Sequence, residues 1–267
     1  MRVGLLGIGW DDHSSHARGP AAAPDLIRSA LKDDAGNRHA ADLTDVLSTD
    51  ALRDHGDVLL PGGDLDLQAI TDAARAVMDC GDGLLALGGD HAVTFPLMQA
   101  VSERWPAVRI VHIDAHPDLY DNFEGDPLSH ASPFARIMER GLASQLIQIG
   151  IRADTPHLRA QAVRFGVQSF APEAIDAALA AVRALGDGPV YLSLDLDGLD
   201  PAFAPGVNHH EPGGLSVREA LQIIAAIPGQ LVAADIVELA PDRDLNGMTA
   251  KVCAKLAKEI IARMRRA

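Results

Sequence analysis

Six short stretches of uninterrupted apolar residues constrain this chain more than any other feature. They are Val3–Ile8, Gly83–Leu87, Val108–Ile113, Leu146–Ile149, Pro189–Leu194 and Leu231–Ile236. Each is rich in Val, Ile or Leu and continuous, not alternating. A strand reads this way when both of its faces are covered. Between them lie segments with helical spacing: Ala23–Lys32, Leu67–Asp79, Thr94–Trp105, Ser132–Arg140, Pro172–Leu185, Val217–Ile227 and Thr249–Met264. Ser216 stands as an N-cap for one of them, and Arg263 and Arg265 complement the C-terminus of the last. Strand–helix alternation predicts an α/β fold, a mostly parallel sheet with helices on both faces. No repeat or Gly/Ser linker interrupts it, so residues 1–267 read as a single domain. The polar stretch 33–64 carries no clear pattern.

Charge and cysteine content narrow the class. The chain has 37 acidic against 23 basic residues, a net charge of -14. Such a surface repels nucleic acid and anionic membranes and favours cations. Cys80 and Cys253 lie far apart and form no framework, which fits a reducing compartment. The N-terminal apolar run reaches Asp11 too soon for a signal-peptide core, and no stretch is long enough to span a bilayer. The expectation is a cytoplasmic protein.

In open parallel sheets ligands bind at the carboxyl ends of strands. Three predicted strands end in acid and histidine: GGDH (88–91), DAHPD (114–118) and SLDLDGLDP (193–201). Residues i and i+2 of a strand share a face, so Asp114 converges with His116 and Asp195 with Asp197. Pro117 stops the ladder and lets Asp118 fold back. Asp90 and Asp200 read as caps or turn residues. The remaining carboxylates, gathered with two histidines, would repel one another without a cation. Four charges on Asp114, Asp118, Asp195 and Asp197 call for two divalent ions. Oxygen and imidazole donors without thiolate suit Mn²⁺, with Co²⁺, Ni²⁺ or Zn²⁺ as substitutes.

These motifs, with SHASPF (129–134), EPGGLS (211–216) and ADIVELAPDRD (234–244), resemble the ureohydrolase family of arginases and agmatinases. The segments 124–139 and 200–216 most resemble plant-type arginases and their bacterial relatives. The resemblance spans nearly the whole chain. It implies an arginase-like fold of about eight strands and assembly as a trimer or hexamer. One Mn²⁺ would be held by His91, Asp114, Asp118 and Asp195, the other by Asp114, His116, Asp195 and Asp197. The activity implied is hydrolysis of a small cationic guanidino substrate to urea and an amine. L-arginine, giving ornithine, is the first choice, and agmatine is the alternative. Asp118 would also accept a hydrogen bond from the attacking hydroxide. Glu238 would bind the guanidinium and His130 would shuttle a proton to the leaving amine. Ala131 stands where many relatives carry Gly. Asp154 would face the substrate's amine, and His209 and His210 would border the pocket mouth, with His210 as a substrate contact. Two other classes stand beside this reading: a ligand-binding homologue without catalysis, and a deacetylase-like hydrolase with one zinc ion.

Overall fold

The computed structural model describes residues 1–266. Eight parallel strands form one sheet in the order β2-β1-β3-β8-β7-β4-β5-β6. They are β1 (Val3–Gly7), β2 (Leu52–Asp57), β3 (Gly83–Leu87), β4 (Arg109–Ile113), β5 (Gln145–Ile149), β6 (Gln168–Phe170), β7 (Pro189–Asp195) and β8 (Gln230–Val237). The six apolar runs became β1, β3, β4, β5, β7 and β8, the interior of the sheet. Covered on both faces, they bury nearly every side chain.

The two edge strands had no apolar signal. β2 reads LRDHGD and is mostly exposed, and β6 has three residues. A charged or very short edge blunts pairing with another chain, so polarity here is what the position favours. β2 also lies within the stretch that resisted reading from sequence.

Helices α1 (Ala23–Leu31), α6 (Ile175–Arg183), α7 (Val217–Ala226) and α8 (Met248–Arg265) cover one face. Helices α2 (Leu65–Asp79), α3 (Thr94–Arg104), α4 (Pro133–Glu139) and α5 (Pro156–Phe165) cover the other. Ser216 and Glu219 form a full capping box at the start of α7. Helix α5 was not anticipated. Thr155 caps it and Gly166 ends it in the left-handed conformation.

One feature of register positions the site. Ser169, Gln148, His112, Ser193 and Asp235 are direct neighbours across β6, β5, β4, β7 and β8. They form a polar row running across the mostly apolar interior of the sheet. Gln148, His112, Ser193 and Asp235 are fully buried. Asp114 and Asp195 stand two residues further on, at the carboxyl ends of β4 and β7.

Candidate metal centre and active site

Four adjacent strands, β3, β8, β7 and β4, end at the site, although their order in sequence is different. After β3 the chain must pass against the backbone following β1. A Cβ on Gly89 would sit 1.8 Å from the Trp10 carbonyl oxygen, so only glycine fits. Asp90 then caps the short turn at His91 by accepting from the Ala92 N–H, and takes a second hydrogen bond from Ser14. Asp200 accepts three backbone N–H groups of its loop. Both therefore serve as the cap and turn residues expected.

His91 turns its Nδ1 into a cage of carboxylates. It lies 3.1 Å from Asp114, 3.0 Å from Asp118 and 3.2 Å from Asp195. His116 Nδ1 lies 3.3 Å from Asp114 and 3.2 Å from Asp197. All six residues expected to hold metal thus meet in one place. Asp118 reaches it through a left-handed backbone, φ 48°, with its carbonyl accepting the Phe134 N–H. Glu238 also has positive φ, 66°, just past β8. Positive φ in non-glycine residues costs of order 1–3 kcal/mol and tends to mark functional sites.

The electrostatics ask for a cation. Burial, then repulsion from Asp197 and Asp114, pushes Asp195 well above the ordinary carboxylate range. Burial likewise raises Asp197, to about 6, against the pull of His116. Burial would raise Asp114 too, but His112 and the hydrogen bonds of three histidines hold it well below that range. Carboxylates packed this closely must take up protons or metal. His91 supplies the deciding observation. Its buried Nδ1 has no hydrogen-bond partner. Burial opposes a charge on this ring, yet the three carboxylates hold it well above the ordinary histidine range, and a divalent ion in place of the Nδ1 proton satisfies all four groups. The donor set therefore fits divalent metal.

Beside the cage, Glu238 Oε1 accepts from the His91 backbone N–H at 2.9 Å and from His130 Nδ1 at 2.8 Å. Burial works against the charged His130 ring, yet Glu238 outweighs it and raises the imidazole to about 9. The Ser15 N–H, 3.2 Å from His130 Nε2, acts in the opposite sense by favouring a lone pair there. A cavity of about 220 Å³ opens over the carboxylates, with His130, Glu238, Ser15 and His209 on its wall and Tyr120 and Phe123 at its apolar side.

The Arginase family profile matches residues 1–262. The chain belongs to the Arginase family. Arginase 1 of Oryza sativa subsp. indica, named as mitochondrial, is 43% identical over 97% of this chain and 81% of its own length. Guanidinopropionase of Pseudomonas aeruginosa is 37% identical over 98% of this chain and 86% of its own. The solved structure of arginase from Medicago truncatula superposes with a TM-score of 0.92, at 39% identity, covering 98% of this chain and 87% of that one. The protein is accordingly a metal-binding hydrolase of the ureohydrolase type.

Three expectations are corrected. The cytoplasmic assignment falls, because the rice relative is an organellar protein by name. Few cysteines limit the redox environment and not the compartment. Asp154 does not line the cavity. Its carboxylate accepts the Thr155 N–H and pairs with Arg159 at the start of α5. His210 is exposed and bonds the Pro205 carbonyl. Its neighbour His209 holds the cavity position instead, with ring centroids 5.3 Å from His130 and 5.7 Å from His116. Side chains of successive loop residues diverge, and no periodicity says which turns inward. Sequence reasoning also missed Ser15, which lies 115 positions from the histidine it bonds.

Proposed function

We propose that this chain, residues 1–267 as one domain, hydrolyses L-arginine to L-ornithine and urea with two Mn²⁺ ions. The observation that carries the reading is the placement of the Glu238–His130 pair against the six-residue cage. A group that accepts guanidinium N–H bonds and a group that moves protons sit on one wall of one cavity. The choice of arginine is supported by the 43% identity to a plant arginase over nearly the full chain.

His91, Asp114, Asp118 and Asp195 would hold one ion, and Asp114, His116, Asp195 and Asp197 the other. When bound, the two ions supply activated water near neutral pH for attack on a guanidinium carbon. Glu238 Oε1 is committed to His91 and His130, which leaves Oε2 as its oxygen for the substrate's N–H groups. Charge-assisted bonds of this kind orient a planar cation as well as hold it. Asp118, on the cavity wall, accepts a hydrogen bond from the attacking oxygen. His130, which Glu238 favours in its charged form, delivers a proton to the leaving amine; its Nε2, turned away from Glu238, meets the Ser15 N–H and hydroxyl. Ser15 Oγ, 2.9 Å from that nitrogen, holds the ring in place. Tyr120 and Phe123 wall the cavity with apolar surface and limit water around the substrate stem. A homotrimer or hexamer belongs to the same reading. It is supported only by the family resemblance.

The test is urea release from L-arginine, agmatine, guanidinobutyrate and guanidinopropionate after Mn²⁺ loading. The reading expects arginine to be preferred. Preference for agmatine or a guanidino acid would keep the ureohydrolase chemistry and overturn the substrate.

A further inference from the structure

The polar row across the sheet contains one carboxylate, Asp235, that touches neither the cavity nor the cage. It is fully buried and accepts from three hydroxyls. Ser193 Oγ lies 2.7 Å from its Oδ1, while Thr94 Oγ1, at 2.8 Å, and the Tyr191 hydroxyl both meet its Oδ2. Ser193 Oγ is also 2.9 Å from His91 Nε2. A carboxylate can only accept, so the Ser193 hydroxyl proton must point at Asp235. The Ser193 oxygen then has only lone pairs to offer His91, and His91 Nε2 must carry the ring proton. In the neutral ring Nδ1 is thereby left bare, aimed at Asp114, Asp118 and Asp195.

We propose that Asp235 is a positioning residue that fixes the tautomer of His91 through Ser193, and so sets the metal affinity of the cage. This inference rests on the reading of His91 as a metal ligand. The direction of every bond in the relay is dictated by the acceptor-only end. The three carboxylates facing Nδ1 draw the ring proton the other way, so the relay works against them. The wrong tautomer would place a proton where the ion must sit. Groups that orient ligating histidines typically change metal affinity by about 10- to 100-fold when removed.

Asp235→Asn tests the relay with almost no change in shape. Two hydroxyls donate to Oδ2, so the amide oxygen stays there and the NH₂ turns to Ser193. The Ser193 hydroxyl then reverses and donates to His91 Nε2, which moves the ring proton to Nδ1. The expected result is Mn²⁺ affinity lower by about 10- to 100-fold in equilibrium dialysis. In ¹⁵N-histidine spectra of protein loaded with diamagnetic Zn²⁺, the proton on His91 Nε2 should shift upfield in Asp235→Asn, as Ser193 ceases to accept from it. Tyr191→Phe removes a donor from the same carboxylate but leaves the relay's direction intact, so it should lower thermal stability and keep wild-type affinity. Should Asp235→Asn fail to fold, Ser193→Ala serves in its place. It frees the ring to take either tautomer and should also weaken Mn²⁺ binding. Wild-type affinity in these relay variants, or equal losses in Asp235→Asn and Tyr191→Phe, would overturn the inference. Retention of both ions by His91→Asn would instead refute the ligand reading beneath it.

Discussion

Glu238 Oε1 is shared between the His130 imidazole and the backbone N–H that begins the His91 turn. One carboxylate thus ties the proton-transfer group to the segment that carries a cage histidine. Glu238→Gln should reduce kcat/KM by about 10²- to 10⁴-fold. That range corresponds to losing two hydrogen bonds to a charged group, each about 1.5–3 kcal/mol. Steady-state urea assays with arginine check it.

The same substitution should act on pH behaviour. Glu238 raises His130 to about 9 against the effect of burial, with smaller help from Asp90 and Asp118, while the Ser15 N–H opposes it. A histidine whose folded pKa is raised contributes stability fully below its unfolded value, about 6.5. That contribution fades as pH climbs through about 9. Metal-free Glu238→Gln should therefore lose more stability at pH 6 than at pH 10, and its His130 proton resonance should titrate at lower pH. Equal losses at both pH values would contradict the pairing.

Asp197→Ala should remove one of two bound ions and nearly all activity, since Asp197 faces His116 on one side of the cage only. His130→Ala should slow turnover by about 10²- to 10⁴-fold and leave metal content at two, as expected for loss of a proton-transfer group. Metal analysis alongside kinetics separates the two. Equal metal loss in both variants would contradict the role given to His130.

His209→Ala and His210→Ala make a paired test of which histidine borders the substrate. The first should raise KM, because its ring lies among those of His16, His116 and His130. The second should leave both constants unchanged. Asp154→Ala should also leave kinetics unchanged and cost about 1 kcal/mol of stability through its bonds at the start of α5.

Arg152 should matter for stability more than for chemistry. Its guanidinium donates to the carbonyls of Gly150, Asp197, Gly198, Leu199 and Glu211, gathering the loop after β7. Arg152→Met should cost about 2–4 kcal/mol, which is on the order of 5–15 °C in melting temperature.

The sequence carried the interior strands because continuous apolar runs have one cheap home, a covered parallel sheet. It carried the cage because i, i+2 alternation within DAHPD and SLDLD makes convergence local. The edges β2 and β6 stayed hidden for the opposite reason: polarity protects an edge and looks like loop. Ser15, His209 and the Asp235 relay also stayed hidden. Each acts through partners far away in sequence, brought near by strand register for Asp235 and by loop packing for Ser15 and His209, and a single chain read in order shows neither. Asp154 misled because an acid just before a helix start has two uses, and here it bonds Thr155 and Arg159 instead of facing the cavity.

Five polar side chains set abreast in an apolar sheet have a further consequence. An exchange at Ser169, on the outermost strand, is felt at Gln148, whose amide bonds both His112 and the Pro117 carbonyl. His112 in turn donates to Asp114. The rim of the sheet is thus wired to a cage carboxylate by an unbroken line of hydrogen bonds that never passes through the substrate cavity.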